Sequence, residues 1–221
     1  MKTRVLSVIY FLIGILYIVL QNNSSFLTGL IIKGLIIPVL IIIFVLNFRN
    51  NFNRLSVMIL AGLIFSWAGD VIIDFSFIPG LVCFLLAQVM YLIAFFMTPG
   101  ENVIIRSGYY LLIPVLLYGA GLVYYLFDDL GDMKLPVIFY AFVILTMLAA
   151  AVNRLRKVNR VSYWLVFAGA VLFVISDSAL AINKFSQPIR ASSLIIMSTY
   201  ITAQFLITLG FIRQYKEKLV W

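Results

Sequence analysis

Residues 26–46 read FLTGLIIKGLIIPVLIIIFVL and contain a single charged side chain, Lys33. At the 1.5 Å rise per residue of an α-helix, a run of this length crosses the roughly 30 Å hydrocarbon core of a bilayer. A single segment can do so only as a helix, because its backbone N–H and C=O groups must then be satisfied within the segment itself. The stretch therefore predicts a transmembrane helix.

Seven further apolar runs have comparable length, so the sequence predicts eight membrane-spanning helices. Their bounds are 5–21, 26–46, 55–74, 79–98, 106–126, 135–152, 161–181 and 191–212. The connections are short, and no soluble domain fits between the spans. The predicted fold class is all-α: a polytopic membrane protein with a single membrane domain, 1–221. Its halves, 1–105 and 106–221, are candidates for two parallel four-helix repeats.

The composition agrees with this class. Hydrophobic residues make up 64% of the 221 residues and charged residues 11%, and the mean hydropathy is +1.14. Soluble domains are about half apolar and about a quarter charged. The apolar run from Val5 follows Lys2 and Arg4, but the polar residues after Leu20 lack a small-x-small cleavage site, so we interpret the run as the first retained helix. The single cysteine, Cys83, allows no intrachain disulfide.

Positive charge is distributed unevenly between the predicted loops. With the N-terminus inside, the cytoplasmic side holds Lys2, Arg4, Arg49, Arg54, Arg106, Arg154, Arg156, Lys157, Arg160, Arg213, Lys216 and Lys218, and the other side holds Lys134, Lys184 and Arg190. Basic loops are retained in the cytoplasm, so both termini are predicted to be cytoplasmic, and we expect an integral protein of a bacterial inner membrane. The net charge of +8 is then a topology signal, and no nucleic-acid partner is expected.

Two aspartates inside apolar runs have matching sequence contexts. Ala61-Gly62 precedes Asp70 and Ala168-Gly169 precedes Asp177, in each case with seven residues between the glycine and the aspartate. A carboxylate in hydrocarbon is costly, and ionisable residues there mark transport pathways, counter-ions or catalytic groups. The two contexts lie 107 residues apart on helices that cross in the same direction, which fits duplicated halves.

Helix geometry places six polar side chains in one zone of the membrane. They are Lys33, Asp70, Gln88, Asp177, Tyr200 and Gln204. The two acids lie roughly 6 to 8 Å below the outer ends of their helices and the lysine roughly 10 Å, while the other three lie at about 14 Å or one turn deeper. Two acids and one base at a common level favour a functional site over a purely structural buried ion pair.

Neighbouring polar residues have two interpretations each. Asp74 follows Asp70 by one turn at the water boundary, so it is either an ordinary interfacial carboxylate or a substrate contact. Ser176, beside Asp177, is either a small helix-packing residue or a substrate contact. Among the tyrosines of the fifth predicted helix, only Tyr118 is deep enough to reach the site.

The absence of histidine narrows the chemistry. Without it, a Ser-His-Asp triad, a Cys-His pair and an imidazole-ligated zinc are excluded. Carboxylates are left as the strong proton donors and acceptors inside the membrane. Two aspartates offer few oxygen ligands for Mg²⁺ or Ca²⁺, and the sequence has no phosphate-cradling glycine loop or dinucleotide fingerprint. We therefore expect no metal and no other cofactor.

Four segments form a recognisable set: Gly69-Asp70-Val71-Ile72-Ile73, Gly80-Leu81-x2-Phe84-x6-Tyr91, residues 169–181 (GAVLFVISDSALA), and Tyr200-x3-Gln204. The set resembles the YhhN-like family, whose animal members include lysoplasmalogenases. The similarity extends from Lys33 to Gln204, and the Ser-Asp-Ser segment at Asp177 is its most specific part. Two positions depart from the family pattern: Gly34 follows Lys33 where a proline is usual, and Gln88 stands where many members have a histidine.

The resemblance implies hydrolysis of the vinyl ether bond of a lysoplasmalogen-type lysophospholipid to a fatty aldehyde and a glycerophospho-base. Such a hydrolysis starts with protonation of the carbon β to oxygen, and water captures the resulting oxocarbenium ion. Burial and like charge can keep one of two neighbouring carboxyl groups protonated while the other is ionised. We assign Asp177 as the acid and Asp70 as the ionised partner, with the reverse assignment open. Lys33 would neutralise a lipid phosphate or hold Asp70 ionised, and the three deeper polar side chains would hydrogen-bond the headgroup, the glycerol or the water.

A transporter or lipid-binding membrane protein is the alternative, with the aspartates and Lys33 as a proton relay or a substrate counter-ion. Such a protein should have helices interrupted at mid-membrane in both halves. Pro38 and Pro114 are the deep prolines, and they are not related by the 107-residue offset. This pattern favours the enzyme.

Overall fold

The computed structural model describes residues 2–21, 25–49, 52–101, 104 and 109–218. Within these residues all regular secondary structure is helical, and eight helical segments are long and apolar enough to cross a membrane. The main helices are α1 (Lys2–Leu20), α2 (Phe26–Phe48), α3 (Arg54–Ile72), α4 (Phe77–Phe96), α5 (Ile113–Leu126), α6 (Lys134–Val152), α7 (Arg160–Ala181) and α8 (Ser192–Lys218). The predicted fold class and number of spans are confirmed, and the chain is an integral membrane protein.

Short non-α turns change the predicted bounds. A 3₁₀ turn, Tyr109–Leu112, precedes α5, a second, Gly131–Met133, precedes α6, and α7 continues as a π-helix over Ile182–Ser186. Asp177 is therefore further from the end of its span than the predicted bounds 161–181 placed it. The helix α3 ends at Ile72, so Asp74 lies in the following turn. Arg106, the predicted start of the fifth span, lies outside the described residues.

Polar residues just before the apolar runs cap three helices. The side chain of Ser25 accepts a hydrogen bond from the backbone N–H of Thr28 at 3.3 Å, and that of Asn159 accepts one from the backbone of Ser162 at 2.7 Å. Asn53 and Ser56 form a reciprocal capping box with distances of 2.9 and 2.8 Å. Each cap satisfies an N–H group that the helix itself leaves without an acceptor, which fixes where the span begins.

A proline inside α2 is compensated by a tryptophan on α3. Pro38 has no N–H, so it cannot donate to the carbonyl of Gly34 four residues earlier. The indole Nε1–H of Trp67 donates to that carbonyl oxygen at 2.9 Å. Hydrocarbon offers no hydrogen-bond donor, so a neighbouring helix must supply one to the carbonyl group that the proline leaves unpaired. This bond joins α2 to α3 beside Lys33.

The chain divides into two compact units, Met1–Ala94 and Phe95–Trp221. In the first unit, α1 packs on α2 and α2 on α3. Two glycines of α3 face aromatic rings of α4: a Cβ at Gly62 would meet the ring of Tyr91, and one at Gly69 would lie 2.9 Å from the ring of Phe84. These contacts bring α3 and α4 close together and fix their register.

In the second unit the most extensive packing is between α7 and α8. Gly169 of α7 lies against the backbone of α8, where a Cβ would be 2.9 Å from the carbonyl oxygen of Ala203. Gly210 of α8 packs in the same way against α7 at Val166. Small residues let the two backbones approach, which is how helices associate in lipid without a hydrophobic driving force.

A buried arginine lies in the loop between α6 and α7. Arg154 is fully buried, and its Nη2 donates to Oε1 of Gln214 at 2.8 Å and to Oγ of Ser162 at 3.2 Å. The guanidinium carbon is 4.2 Å from the ring centre of Phe211 and 5.4 Å from that of Phe95. Burial lowers the pKa of Arg154 to about 9, so the side chain remains charged at neutral pH and its aromatic and amide contacts stabilise the cation.

Candidate active site

The first unit contains an ion pair near the end of α3. Nζ of Lys33, a residue of α2, is 2.8 Å from Oδ1 of Asp74. The lysine side chain is 7% exposed and that of the aspartate 28% exposed. The pair thus has a buried cation and a partly accessible carboxylate. The sequence predicts that Lys33 neutralises a lipid phosphate or holds Asp70 ionised; in the structure, the salt bridge of this lysine is with Asp74.

Asp70 lies one turn before this pair and is buried, with 3% of its surface exposed. Its charge acts on the hydroxyl of Tyr10, a fully buried residue of α1, and the same hydroxyl is within electrostatic reach of Tyr91 on α4. Tyr17, two turns after Tyr10 on α1, is within electrostatic reach of both Asp74 and Asp70, and the effect of Asp74 is the larger. The first unit therefore surrounds its two carboxylates with tyrosine hydroxyls and one lysine.

Gln88 of α4 is fully buried in the same unit. Along α4, Gln88 lies between Phe84, which contacts Gly69, and Tyr91, which contacts Gly62. In the described part of the chain, neither Nε2 nor Oε1 of Gln88 has a hydrogen-bond partner. A buried amide left in this state costs about 1 to 3 kcal/mol, so the two atoms are candidates for binding a water molecule or another polar ligand.

The second unit holds Asp177 on α7. The hydroxyl of Tyr140, a residue of α6, donates to its Oδ2 at 2.5 Å. Tyr140 is 9% exposed, so the hydrogen bond lies inside the helix packing. A hydroxyl donor stabilises the ionised form of a carboxyl group, because the carboxylate is the better acceptor.

Next to this contact, a second tyrosine meets a serine. The hydroxyl of Tyr118, on α5, donates to Oγ of Ser178 at 2.8 Å, and that serine donates to the carbonyl oxygen of Val174 at 2.6 Å. Both pairs line a cavity of about 40 Å³ between α5, α6 and α7. The rest of its wall is apolar and consists of Gly119, Leu122, Val123, Leu126, Val137, Ala141, Ile144, Leu145, Val174 and Ala181.

The remaining predicted residues of the second unit are also buried. Ser176 donates to the carbonyl oxygen of Ile196 at 2.9 Å, which ties α7 to α8. The ring of Tyr200 meets that of Phe173 edge-on at 5.5 Å, and Gln204, one turn along α8, is fully buried. The hydrogen bond gives Ser176 a packing role, and its role in substrate binding stays a prediction.

Each unit thus combines an intramembrane aspartate with tyrosine hydroxyls. Lys33, Asp70, Asp74 and Gln88 belong to the first, and Ser176, Asp177, Tyr200 and Gln204 to the second. The convergence of the two sets on one cavity stays a prediction, as does the duplication of the halves.

Three of the tyrosines involved, Tyr10, Tyr17 and Tyr140, are not among the site residues that the sequence predicts. Tyr10 and Tyr17 lie in the first predicted helix, and their spacing of seven residues puts them on one helix face. Tyr140 lies in an apolar run where it is the one ring with a hydroxyl. A tyrosine hydroxyl on a predicted span is the sequence signal that all three share.

In the portion of the chain that the structure describes, no three or more Asp, Glu, Cys or His side chains are grouped as a metal site. The carboxylates that do occur inside the membrane are near lysine and tyrosine. The expectation that the protein needs no metal stays a prediction, which chelation can test.

Comparison with known proteins identifies the family. The sequence profile of the YhhN family matches residues 28–211. The chain belongs to the YhhN family. The match includes every predicted site residue from Lys33 to Gln204, while Tyr10 and Tyr17 precede it.

Curated relatives of this YhhN protein carry an enzyme name. Pig lysoplasmalogenase TMEM86B is 31% identical over 215 residues, which cover 95% of this chain and 84% of the pig protein. Human lysoplasmalogenase TMEM86B is 36% identical over 138 residues, 62% of this chain and 55% of the human protein. Bovine lysoplasmalogenase TMEM86A is 35% identical over 161 residues, 69% of this chain and 64% of its own length. The aligned region thus spans little more than half of the human relative. No solved structure gives a significant match.

Proposed function

We propose that this protein hydrolyses the vinyl ether bond of lysoplasmalogen-type lysophospholipids, releasing a fatty aldehyde and a glycerophospho-base. The observation that carries the proposal is the similarity, over 95% of the chain, to a pig protein named lysoplasmalogenase, in a protein with two intramembrane aspartates near tyrosine hydroxyls. The reaction requires a proton on carbon more than it requires a nucleophilic side chain, and carboxyl groups can supply that proton.

The reaction divides into three proton-balanced steps. A carboxylic acid gives its proton to the carbon β to the ether oxygen, and the double bond becomes the new C–H bond and an oxocarbenium ion. The oxygen of a water molecule then bonds to the α-carbon, and the proton it loses goes to a carboxylate. The hemiacetal finally collapses: its hydroxyl proton leaves, the C–O bond to glycerol breaks, and the glycerol oxygen takes up a proton.

The roles of the two carboxyl groups are proposed as before: Asp177 is the acid and Asp70 the ionised partner, with the reverse assignment open. The hydroxyl of Tyr140 donates to Oδ2 of Asp177, and this hydrogen bond would hold the carboxyl group in place in either role. Asp70 is the more deeply buried of the two, at 3% exposure.

Lys33 is suited to the phosphate of the substrate. Its ammonium group is buried while the carboxylate of Asp74, its partner, remains partly accessible at the end of α3. A lipid phosphate could therefore join or replace Asp74 as the partner of the cation. Gln88, whose buried amide atoms have no partner in the described residues, would bond the glycerol oxygens or the water.

The proposal is tested by incubating the purified protein with alkenyl, alkyl and acyl lysophospholipids and measuring released aldehyde and fatty acid. We expect aldehyde from the alkenyl lipid alone. Asp70→Asn and Asp177→Asn should each lower turnover about 10²- to 10⁴-fold, because the amide keeps the shape of the side chain but not its proton chemistry. Asp128→Asn, in an exposed turn, is the matched control and should keep wild-type turnover.

Two outcomes would contradict this function. Wild-type turnover in Asp177→Asn, or activity that a chelator removes and a divalent metal restores, would refute the carboxylate mechanism. Absence of aldehyde from every vinyl ether lipid would refute the hydrolase itself and favour the transport or lipid-binding alternative, which lipid-uptake assays in proteoliposomes would then measure.

The role of Lys33 has a separate test. A vinyl ether of glycerol without phosphate should be a poorer substrate than the lysophospholipid. A charge-assisted hydrogen bond contributes about 1.5 to 3 kcal/mol, or roughly tenfold and more in KM. Lys33→Gln should abolish this preference while leaving turnover of the phosphate-free substrate unchanged. An equal preference in wild type and variant would remove Lys33 from the headgroup site.

A further inference from the structure

The cavity of the second unit combines a small polar patch with hydrocarbon walls. The patch consists of Asp177 and the hydroxyl groups of Tyr118, Tyr140 and Ser178, and the other lining residues are all apolar. The cavity is partly open, and wall residues such as Leu122 are half-exposed. Such a surface suits the end of an apolar chain that carries a reacting group, because the chain meets carbon and the group meets the carboxyl.

The volume of the cavity limits how much of a chain it can hold. It is about 40 Å³, and one water-sized group requires roughly 10 to 15 Å³ in the same measure. A CH₂ group is close to a water molecule in size, so the cavity has room for a few carbons of a chain. The rest of a long chain must pass through the open side into the lipid.

Helix geometry gives the cavity a direction. On α7 it extends from Val174 to Ala181, a rise of about 10 Å. The span continues to Ser186, so Val174 is near its middle and Ala181 is nearer the water. The helix α6 crosses in the opposite direction and brings Leu145 to the deep end of the cavity. A Cβ at Gly119 of α5 would collide with Leu145, so this side chain closes that end against α5.

We propose that this cavity holds the reacting end of the alkenyl chain, with the two vinyl carbons beside Asp177 and the next few carbons against Val174 and Leu145. The inference rests on the proposed function and deepens it. Asp177 lines the cavity and is half-buried, whereas Asp70 is 3% exposed, so a carbon atom can approach Asp177 from the cavity.

Both roles that are open to Asp177 need this contact. As the acid, its carboxyl group protonates the β-carbon, and the double bond becomes the new C–H bond. As the ionised partner, its carboxylate takes the proton of the water molecule whose oxygen bonds to the α-carbon. The glycerol end of the substrate then lies towards Ala181 and the water, and the chain runs towards the middle of the membrane.

The protein should therefore discriminate the shape of the chain close to the ether and ignore its length. A methyl branch on the carbon next to the double bond would meet the wall at Leu145. One additional carbon in a confined apolar pocket changes kcat/KM about 10- to 200-fold, and we expect a loss in this range. A methyl branch at the far end of the chain would lie in lipid and should have no effect.

A hole in the wall tests the position of the branch. Leu145→Ala removes the side chain that the branch would meet, so this variant should recover most of the kcat/KM lost with the branched substrate. Leu172→Ala is the matched control, because Leu172 is half-buried on α7 and does not line the cavity, and it should leave the branch penalty unchanged. The readout is a ratio of two substrates on one preparation, so a partial loss of folded protein cancels. If Leu145→Ala does not fold, Leu145→Val is the milder replacement.

Photo-crosslinking locates the chain without turnover. The probe is an alkyl ether lysophospholipid, which has no double bond to protonate, with a diazirine either on an early carbon of the chain or at its far end. The early diazirine should label the cavity wall on α5, α6 and α7, and the unlabelled alkenyl lipid should compete with it. The far diazirine should label lipid-facing side chains of many helices without competition.

Three results would overturn the chain site while leaving the hydrolase intact. They are equal cleavage of straight and branched substrates, an unchanged branch penalty in Leu145→Ala, and equal labelling by the two probes, which would show that bulk lipid alone fills the cavity. Failure to release aldehyde from any vinyl ether lipid, straight or branched, would instead refute the proposed function, so the two failures are distinguishable.

Discussion

The hydrogen bond from Trp67 to Gly34 should stabilise the first unit only because Pro38 is present. The indole Nε1–H is 2.9 Å from a carbonyl oxygen that the proline cannot serve. In Trp67→Phe that oxygen would lie unpaired in hydrocarbon. An unsatisfied buried polar group costs about 1 to 3 kcal/mol, and interhelical hydrogen bonds in membranes contribute about 0.6 and at most about 1.7 kcal/mol. We therefore expect a loss of about 1 to 2 kcal/mol in unfolding free energy.

Pro38→Ala supplies the missing N–H and makes the tryptophan dispensable for this carbonyl. In the Pro38→Ala background, Trp67→Phe should cost less than about 0.5 kcal/mol, which leaves a coupling energy of about 1 kcal/mol. Trp164→Phe controls for the smaller ring. Trp164 is 52% exposed against 40% for Trp67, and its indole has no acceptor among the described residues.

The measurement is reversible unfolding in mixed micelles for the wild type, both single variants, the double variant and the control. Equal costs of Trp67→Phe in the two backgrounds would refute the reasoning. So would a cost no larger than that of Trp164→Phe, because the effect would then come from ring size alone.

Three further predictions concern packing, charge and topology. Gly169→Ala should destabilise the protein by about 1 to 3 kcal/mol in the same unfolding assay, because the added Cβ would press on the α8 backbone. Gly121→Ala is the control: no atom lies within 4 Å of the position of its Cβ, so this variant should be neutral or stabilising. Burial lowers the pKa of Arg154 from 12.5 to about 9, so above pH 9 the folded protein loses this proton while the unfolded chain still holds it. The stability of the wild type relative to Arg154→Gln should therefore rise as the pH increases above 9. A difference in Tm that does not change with pH would show that the guanidinium stays charged. The twelve-to-three excess of basic residues predicts cytoplasmic termini, so a reporter that is active only outside the cytoplasm should stay silent when fused after Trp221, and a signal from it would reverse the topology.

The sequence alone determined the membrane class, the number of spans and the residues that deserve a chemical explanation. Transfer into lipid depends on the composition of each segment, so a run such as 26–46 identifies itself without reference to its neighbours. The free-energy cost of placing a carboxylate in hydrocarbon also singles out Asp70 and Asp177, because such residues are rare whichever helices surround them. Capping residues such as Asn53 and Asn159 likewise act within one turn of their own helix, and the predicted starts at 55 and 161 are each within one residue of the observed ones.

Only the tertiary structure decided which side chains meet. The spans are apolar on every face, so the sequence does not specify how each helix is rotated about its axis, and a depth along the axis leaves several partners within reach. Rotation is set where glycines admit a neighbour, as at Gly62 and Gly169. The sequence thus placed Lys33 at the level of Asp70 and Asp177, whereas packing paired it with Asp74. Packing likewise brought Tyr140 to Asp177, a contact between helices that no local pattern records.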